Sequence, residues 1–209
     1  MPVTPFQQNC TLLKCPHSGS LAIIDPGGEI DRLKQAIDTF GGKPEKILLT
    51  HGHLDHVGGT AELAEQLGLP VIGPHRDDAF WIEQLPGQAQ MLGLPAVRSF
   101  RPDQWLEGGD QIQLGELQIE VIHCPGHTPG HVVLFCRELG WAQVGDVLFQ
   151  GSIGRTDFPR SNHQDLIDSI RNKLFPLGDD ISFVPGHGPM STFGQERSSN
   201  PFVADRRFG

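Results

Sequence analysis

Four times along this 209-residue chain an apolar run ends in a glycine-bracketed histidine or aspartate. The segments are "KILLTHGHLDHVGG" from Lys46, "VIHCPGHTPGH" from Val121, "AQVGDVLF" from Ala142 and "ISFVPGHGP" from Ile181. Short apolar runs bounded by Gly and Pro read as buried strands that stop at a turn. A polar side chain just beyond a rigid strand end is aimed in a fixed direction. The chain must therefore build a scaffold of strands whose ends present these groups on loops.

The remaining pattern fills in that scaffold. "CTLLKC" and "LAIIDPGG" read as a hairpin of short strands, the second closed by Pro26-Gly27-Gly28. "EIDRLKQAIDTF" has helical spacing, with Ile30, Leu33, Ile37 and Phe40 on one face and Gly41-Gly42 after it. "AELAEQLG" reads as a helix stopped by Gly68, and "PVIG" as a strand. Residues 76–105 are an excursion, helical over "RDDAFWIEQL", whose Phe80 and Trp81 are candidates for a wall or lid over a pocket. "QIQLG", "LQIEVIHC", "HVVLFC" and "WAQVGD" are successive strands. "HQDLIDSIRNKLF" is a helix with Leu166, Ile167, Ile170 and Leu174 on one side, and "ISFVPG" a final strand. Two halves of this kind predict an α/β (α+β) fold, two packed sheets under helices on both outer faces.

With 37% apolar and 20% charged residues the composition is that of a globular protein, and one domain spanning residues 1–209 is expected. The formal net charge of -9 argues against a nucleic-acid partner. No run approaches a membrane span, so no membrane partner is expected. "MPVTPFQQNC" has neither a basic nor an apolar leader region, which predicts a cytoplasmic protein with its four cysteines reduced and buried. Oligomeric state is not legible.

The ten histidines are the anomaly. Crowded imidazoles repel when protonated, and when neutral each needs a hydrogen-bond partner or a metal. His51 and His53 are two apart and can point the same way from an extended end, while Asp55 and His56 follow as the chain turns. Gly52, Gly58 and Gly59 leave room for close backbone approach. One metal centre could take His51, His53 and His127, and a second Asp55, His56 and His187, with Asp146 bridging them. Singly, His127, Asp146 and His187 are ordinary turn residues; beside the ligands of "HGHLDH" they are candidate ligands. Nitrogen and carboxylate donors without thiolate suit two divalent ions, zinc with iron or manganese as alternatives. His17, His75 and His163 read as surface or cap residues, His123 as facing the core, and His131 as support behind the ligands.

The series "HxHxDH", "PGHTPGH", "GD" and "PGHGP" resembles the metallo-β-lactamase-fold hydrolases, from "IIDPGG" to "ERSSNPF". The resemblance implies an αββα sandwich with a dinuclear site at one sheet edge. Within that superfamily the chain looks most like the glyoxalase II (hydroxyacylglutathione hydrolase) group, in its short bacterial form without the C-terminal helical domain. It implies a metal-dependent thioesterase for S-D-lactoylglutathione or related thioesters, with Asp55 orienting a metal-bridging hydroxide. Arg155, nine residues after Asp146, corresponds to a glutathione-contacting basic residue, with a surface ion pair to Asp157 as the alternative. Arg160, Arg171 and Lys173 could extend a basic patch, though the last two also read as a solvated helix face. Asp157 stands where the group has tyrosine, which leaves thioester hydrolysis better supported than glutathione specificity. The rival within the resemblance is a persulfide dioxygenase, which also carries a "GRTDF" segment and holds one iron at the positions of His51, His127 and Asp146. Exported β-lactamases lack the aspartate found here at Asp146. A non-enzymatic metal-binding module is a weaker alternative, since structural zinc sites close with four ligands.

Overall fold

The computed structural model describes residues 1–205. The chain opens with a two-residue pairing of β1 (Pro2–Val3) and β2 (Gln8–Asn9). The hairpin β3 (Thr11–Lys14) and β4 (Ser20–Ile24) follows, then helix α1 (Ile30–Phe40) and strand β5 (Lys43–Leu48). A single helical turn, α2 (Leu54–Val57), leads into α3 (Thr60–Leu67), which ends on Gly68 in the left-handed conformation. After β6 (Val71–Ile72) come a 3-10 turn at Arg76–Asp78 and helices α4 (Ala79–Glu83) and α5 (Leu85–Met91). The second half contains β7 (Gln111–Leu114), β8 (Leu117–His123), β9 (Val132–Cys136) and β10 (Trp141–Gly145). A small hairpin, β11 (Leu148–Phe149) and β12 (Ser152–Ile153), precedes α6 (His163–Ser169), which continues as a π turn over Ile170–Leu174. The described chain closes with β13 (Ser182–Pro185), β14 (Ser191–Thr192) and α7 (Phe193–Ser199).

These strands form a four-stranded sheet in the order β3-β4-β5-β6 and a six-stranded sheet in the order β14-β13-β10-β9-β8-β7. Alternation along each strand explains why they stack. On the first sheet Ala22, Ile24 and Leu48 point inward and meet Ile119, Val121, Val132 and Leu134 of the second. Leu21, Ile23 and Ile47 point outward and are covered by Leu33 and Ile37 of α1 and Leu63 of α3. On the second sheet Val133, Phe135, Ala142 and Phe183 point outward under Leu166 and Ile170 of the α6 segment and Phe193 of α7. Strands covered on both faces read as unbroken apolar runs, as "VVLFC" does. The product is the expected αββα sandwich.

Two expectations need correction. Phe40 is 47% exposed, with the Lys14 ammonium over its ring, so the buried stripe of α1 is Ile30, Leu33 and Ile37. His123 does not face the core: it is half-buried, donates from Nε2 to the Pro129 carbonyl (2.9 Å) and stacks on His75. His75 caps the 3-10 turn by accepting from Asp77 N, and His17 and His163 lie at the surface. All four cysteines are buried free thiols, and among the described residues no helix is long and apolar enough to cross a membrane.

Phe135 lies at the centre of the outer core of the larger sheet and is fully buried. Phe135→Ala should lower stability by about 3–5 kcal/mol. The urea midpoint should fall with the slope unchanged, and a loss below about 1 kcal/mol would mean that this layer is loosely packed.

Candidate metal centre

The candidate ligands arrive at one edge of the sandwich from the ends of β5, β8, β10 and β13. Just past β5, Thr50, His51, Gly52 and His53 run in an extended loop into α2, which carries Asp55 and His56 on one helical turn. His127 lies between β8 and β9, Asp146 follows β10, and His187 follows β13. Six of the seven candidate ligands form two triads whose ligand atoms lie within 4.8 Å of one another: His51, His53 and His127, and Asp55, His56 and His187. Asp146 lies between the triads, its Oδ2 3.5 Å from His127 Nε2 and 3.6 Å from His187 Nε2, its Oδ1 3.3 Å from His56 Nε2.

Hydrogen bonds fix which ring nitrogen faces inward. His127 Nδ1 donates to the Arg155 carbonyl (2.8 Å) and His187 Nδ1 to the Phe6 carbonyl (3.1 Å). His56 Nδ1 donates to Asp25 Oδ2 (2.9 Å). Thr50 Oγ1 donates to the same Asp25 oxygen (2.6 Å), so it accepts from His51 Nδ1 (3.1 Å). These acceptors leave each Nε2 with a lone pair directed into the cluster. His53 is turned the other way: its Nδ1 lies 3.1 Å from His51 Nε2 and 3.0 Å from His127 Nε2. Nitrogens bound at about 2.0–2.1 Å around a tetrahedral ion stand about 3.3 Å apart, close to these separations.

Electrostatics agree with that reading. Burial pushes His51 and His127 below the usual imidazole range and His53 down to about 3, so their lone pairs are free at neutral pH. In the other triad burial is outweighed: Asp146 and Asp55 lift His56, and Asp55 and Asp146 lift His187, so this half draws positive charge. His56 Nε2 and Asp146 Oδ1 are buried without a hydrogen-bond partner, which a cation between them would satisfy. The donor set therefore fits divalent metal.

Three supporting groups carry the ligands. Asp25, fully buried and with φ of 53°, accepts from Thr50 N (2.8 Å), Thr50 Oγ1 and His56 Nδ1, tying one ligand of each triad to a single carboxylate. Asp78 accepts from Gly52 N (2.8 Å), Thr128 Oγ1 (2.7 Å) and Gly130 N (2.6 Å), clipping the His51–His53 loop to the His127 loop. Burial pushes Asp78 up to about 6, still low enough for a carboxylate at neutral pH. His131 stacks on His51 at 4.6 Å and accepts from Asp146 N at 3.0 Å, in the supporting place expected of it. Close approach also requires missing side chains. A Cβ on Gly186 would meet Asp146 Oδ1 at 2.0 Å, and one on Gly52 would meet Trp81 Cβ at 2.8 Å.

Neither Asp25 nor Asp78 was expected as a support. Asp25 reads as the first residue of an Asp-Pro-Gly turn, and Asp78 as a charge near a helix start. The one signal was chemical: an aspartate directly after the apolar "LAII" has no reason to be buried without donors. The N-terminal hairpin was also missed; Asn9 Nδ2 donates to the Pro185 and Gly188 carbonyls (3.0 and 2.9 Å) and braces the His187 loop.

Around the cluster, Trp81 packs edge-on to His53 at 4.5 Å and Phe158 lies 4.7 Å from the same ring, so the excursion supplies a wall. Arg155 lies outside the cluster. Its guanidinium covers the Phe158 ring at 4.6 Å and pairs with Asp157 through Nε–Oδ1 (3.0 Å) and Nη2–Oδ2 (2.8 Å). Arg160 covers Phe80 at 4.2 Å. Arg171 and Lys173 instead donate to the carbonyls of Val203 and Ala204 and of His123.

Asn in place of Asp25 tolerates the same left-handed backbone but removes the charge behind two histidines. Asp25→Asn should weaken metal affinity by about 10–100-fold, read by competition with a chelator. Unchanged affinity would mean that Asp25 serves only the turn.

The family model described as the metallo-beta-lactamase superfamily matches residues 3–187. Over 204 residues the chain is 50% identical to hydroxyacylglutathione hydrolase GloC of Haemophilus influenzae, covering 97% of this chain and 96% of that one. The crystal structure of BLEG-1 B3 metallo-beta-lactamase is similar with 35% identity, 97% of both chains covered and a TM-score of 0.89. That of TTHA1623 in a di-iron-bound form has 37% identity, covers 97% of this chain and 98% of that one, and gives a TM-score of 0.88. With its fold, its convergent histidines and aspartates and these relatives in agreement, the chain belongs to the metallo-beta-lactamase superfamily.

Proposed function

We propose that the protein is a cytoplasmic, dinuclear metal-dependent thioesterase acting on S-D-lactoylglutathione or related small-molecule thioesters. The observation that carries this reading is 50% identity to a hydroxyacylglutathione hydrolase over nearly the full length of both chains. His51, His53 and His127 would hold one ion and Asp55, His56 and His187 the other, with Asp146 a candidate ligand between them. Two such ions, zinc or alternatively iron or manganese, supply a hydroxide nucleophile near neutral pH and a Lewis acid for the carbonyl.

The chain's own residues orient the reaction. The Asp55 side chain is 20% exposed, against none for His56, so its carboxylate reaches the mouth of the cluster and would accept a hydrogen bond that orients the nucleophile. Trp81 and Phe158 shield the His53 side from water. Arg155 and Arg160 stand on that side as sites for a carboxylate of the thiol carrier. A departing thiol has a pKa of about 8.5 and leaves as thiolate without a protein acid. An amide or lactam nitrogen would need a proton, and tyrosine is absent from the sequence.

Purified protein should release free thiol from S-D-lactoylglutathione without consuming oxygen. Oxygen uptake with glutathione persulfide and no thioester cleavage would overturn the assignment in favour of the dioxygenase, and cleavage of a cephalosporin alone in favour of a lactamase. Elemental analysis should find close to two metal atoms per chain in the wild type and neither in Asp146→Ala. Retention of one full equivalent by the variant would show that Asp146 does not span the ions.

Arg155 serves uniform binding if it grips a carboxylate that does not change during reaction. Arg155→Ala should then raise KM for the glutathione thioester about tenfold, with kcat nearly unchanged. An uncharged thioester should be unaffected; equal loss on both substrates would make Arg155 a structural partner of Asp157.

A further inference from the structure

A second feature of the cluster's mouth bears on the acyl half of the substrate. On the Asp55 side a cavity of about 360 Å³ opens among the loop at residues 4–6, the glycine turn at 27–28, helices α2 and α3, and residues 94–98. Its apolar lining includes Phe6, Ile30, Leu54, Ala61, Leu94 and Val97. Asp55 also lines this cavity, and its Oδ2 lies 3.1 Å from His187 Nε2, so the cavity adjoins the second triad. Pockets that hold small molecules span roughly 300–1,000 Å³, and a three-carbon acyl group would leave most of this one unfilled.

Charge decides which arm of a thioester belongs here. Glu29, Asp31 and Glu62 line the cavity; Glu29 is paired with Arg32 and the cavity's arginine, Arg98, with Glu65, so Asp31 and Glu62 set its charge. An anionic carrier such as glutathione would be repelled from this side. Arg155 and Arg160 lie on the Trp81–Phe158 side of the triads, the side of His53. We propose that the cavity is an acyl subsite for neutral, apolar acyl groups longer than lactoyl, with the thiol carrier directed to the arginine side. This rests on the thioesterase reading above and adds a substrate class to it.

The test uses metal-loaded protein and S-acyl-N-acetylcysteamine thioesters, whose uncharged carrier isolates the acyl arm. Each buried methylene is worth about fourfold in kcat/KM, so the rise from propionyl to hexanoyl should be tenfold or more. Ala61→Trp, which fills the cavity from α3, should abolish that rise and leave propionyl turnover within about twofold. Val97→Asp, on a separate segment, should do the same by charging the wall, so a folding failure of one variant leaves the other. Equal kcat/KM across the wild-type series, or a rise that survives both substitutions, would overturn the subsite and leave the thioesterase reading intact. If no thioester is cleaved, calorimetric binding of ketone analogues, with methylene in place of sulfur, still reads the cavity. Tighter binding of the hexanoyl analogue than the propionyl one, lost in Ala61→Trp, supports the subsite; equal binding overturns it.

Discussion

Imidazole lone pairs do not approach one another without something positive between them. Here His53 Nδ1 stands 3.1 Å from His51 Nε2 and 3.0 Å from His127 Nε2 in a buried site, and neighbouring carboxylates lie against His56 and His187. A proton can relieve one such contact; a divalent cation relieves the whole set, because each ligand supplies a pair of electrons and the carboxylates offset the charge. The surrounding architecture holds these groups at that spacing.

Two buried aspartates hold these loops in place, and each acts across the fold. Asp25 leaves the end of β4 and reaches the start of the His51 loop and the helical turn of His56. Asp78 leaves the excursion after β6 and binds backbone donors from loops of both halves. The sheets supply rigidity because both faces of each are covered, so the strand ends cannot drift as loops usually do. Site and sandwich are therefore coupled: loosening either carboxylate would free a loop that carries a candidate ligand.

Much of this was legible in the sequence for a simple reason. Strand periodicity, glycine at turns and histidine crowding are local signals, and they marked the two sheets, the main helices and the four loops that carry His51, His53, Asp55, His56, His127, Asp146 and His187. What stayed hidden depends on distant partners. Asp25 and Asp78 find their donors 25 to 52 residues away, so no window around either reveals its role. Phe40 fits the helical stripe yet lies at the last position of α1, beyond the sheet it would cover. The short pairing of β1 with β2 has too few residues to leave a pattern. Helix α7 did leave one: Thr192 accepts from Gln195 N, the cap its Thr-x-x-Gln spacing announces. Arg155 was readable both as a carboxylate contact and as a surface partner of Asp157, two residues away, and the structure shows the pair.

The most direct test of the account is anomalous diffraction from crystals of the metal-loaded protein, recorded on both sides of the metal absorption edge. The account predicts two peaks about 3.5–4 Å apart. One should lie among His51, His53 and His127, the other among Asp55, His56 and His187, with Asp146 touching both. A single fully occupied peak held by His51, His127 and Asp146, with none at His187, would contradict it.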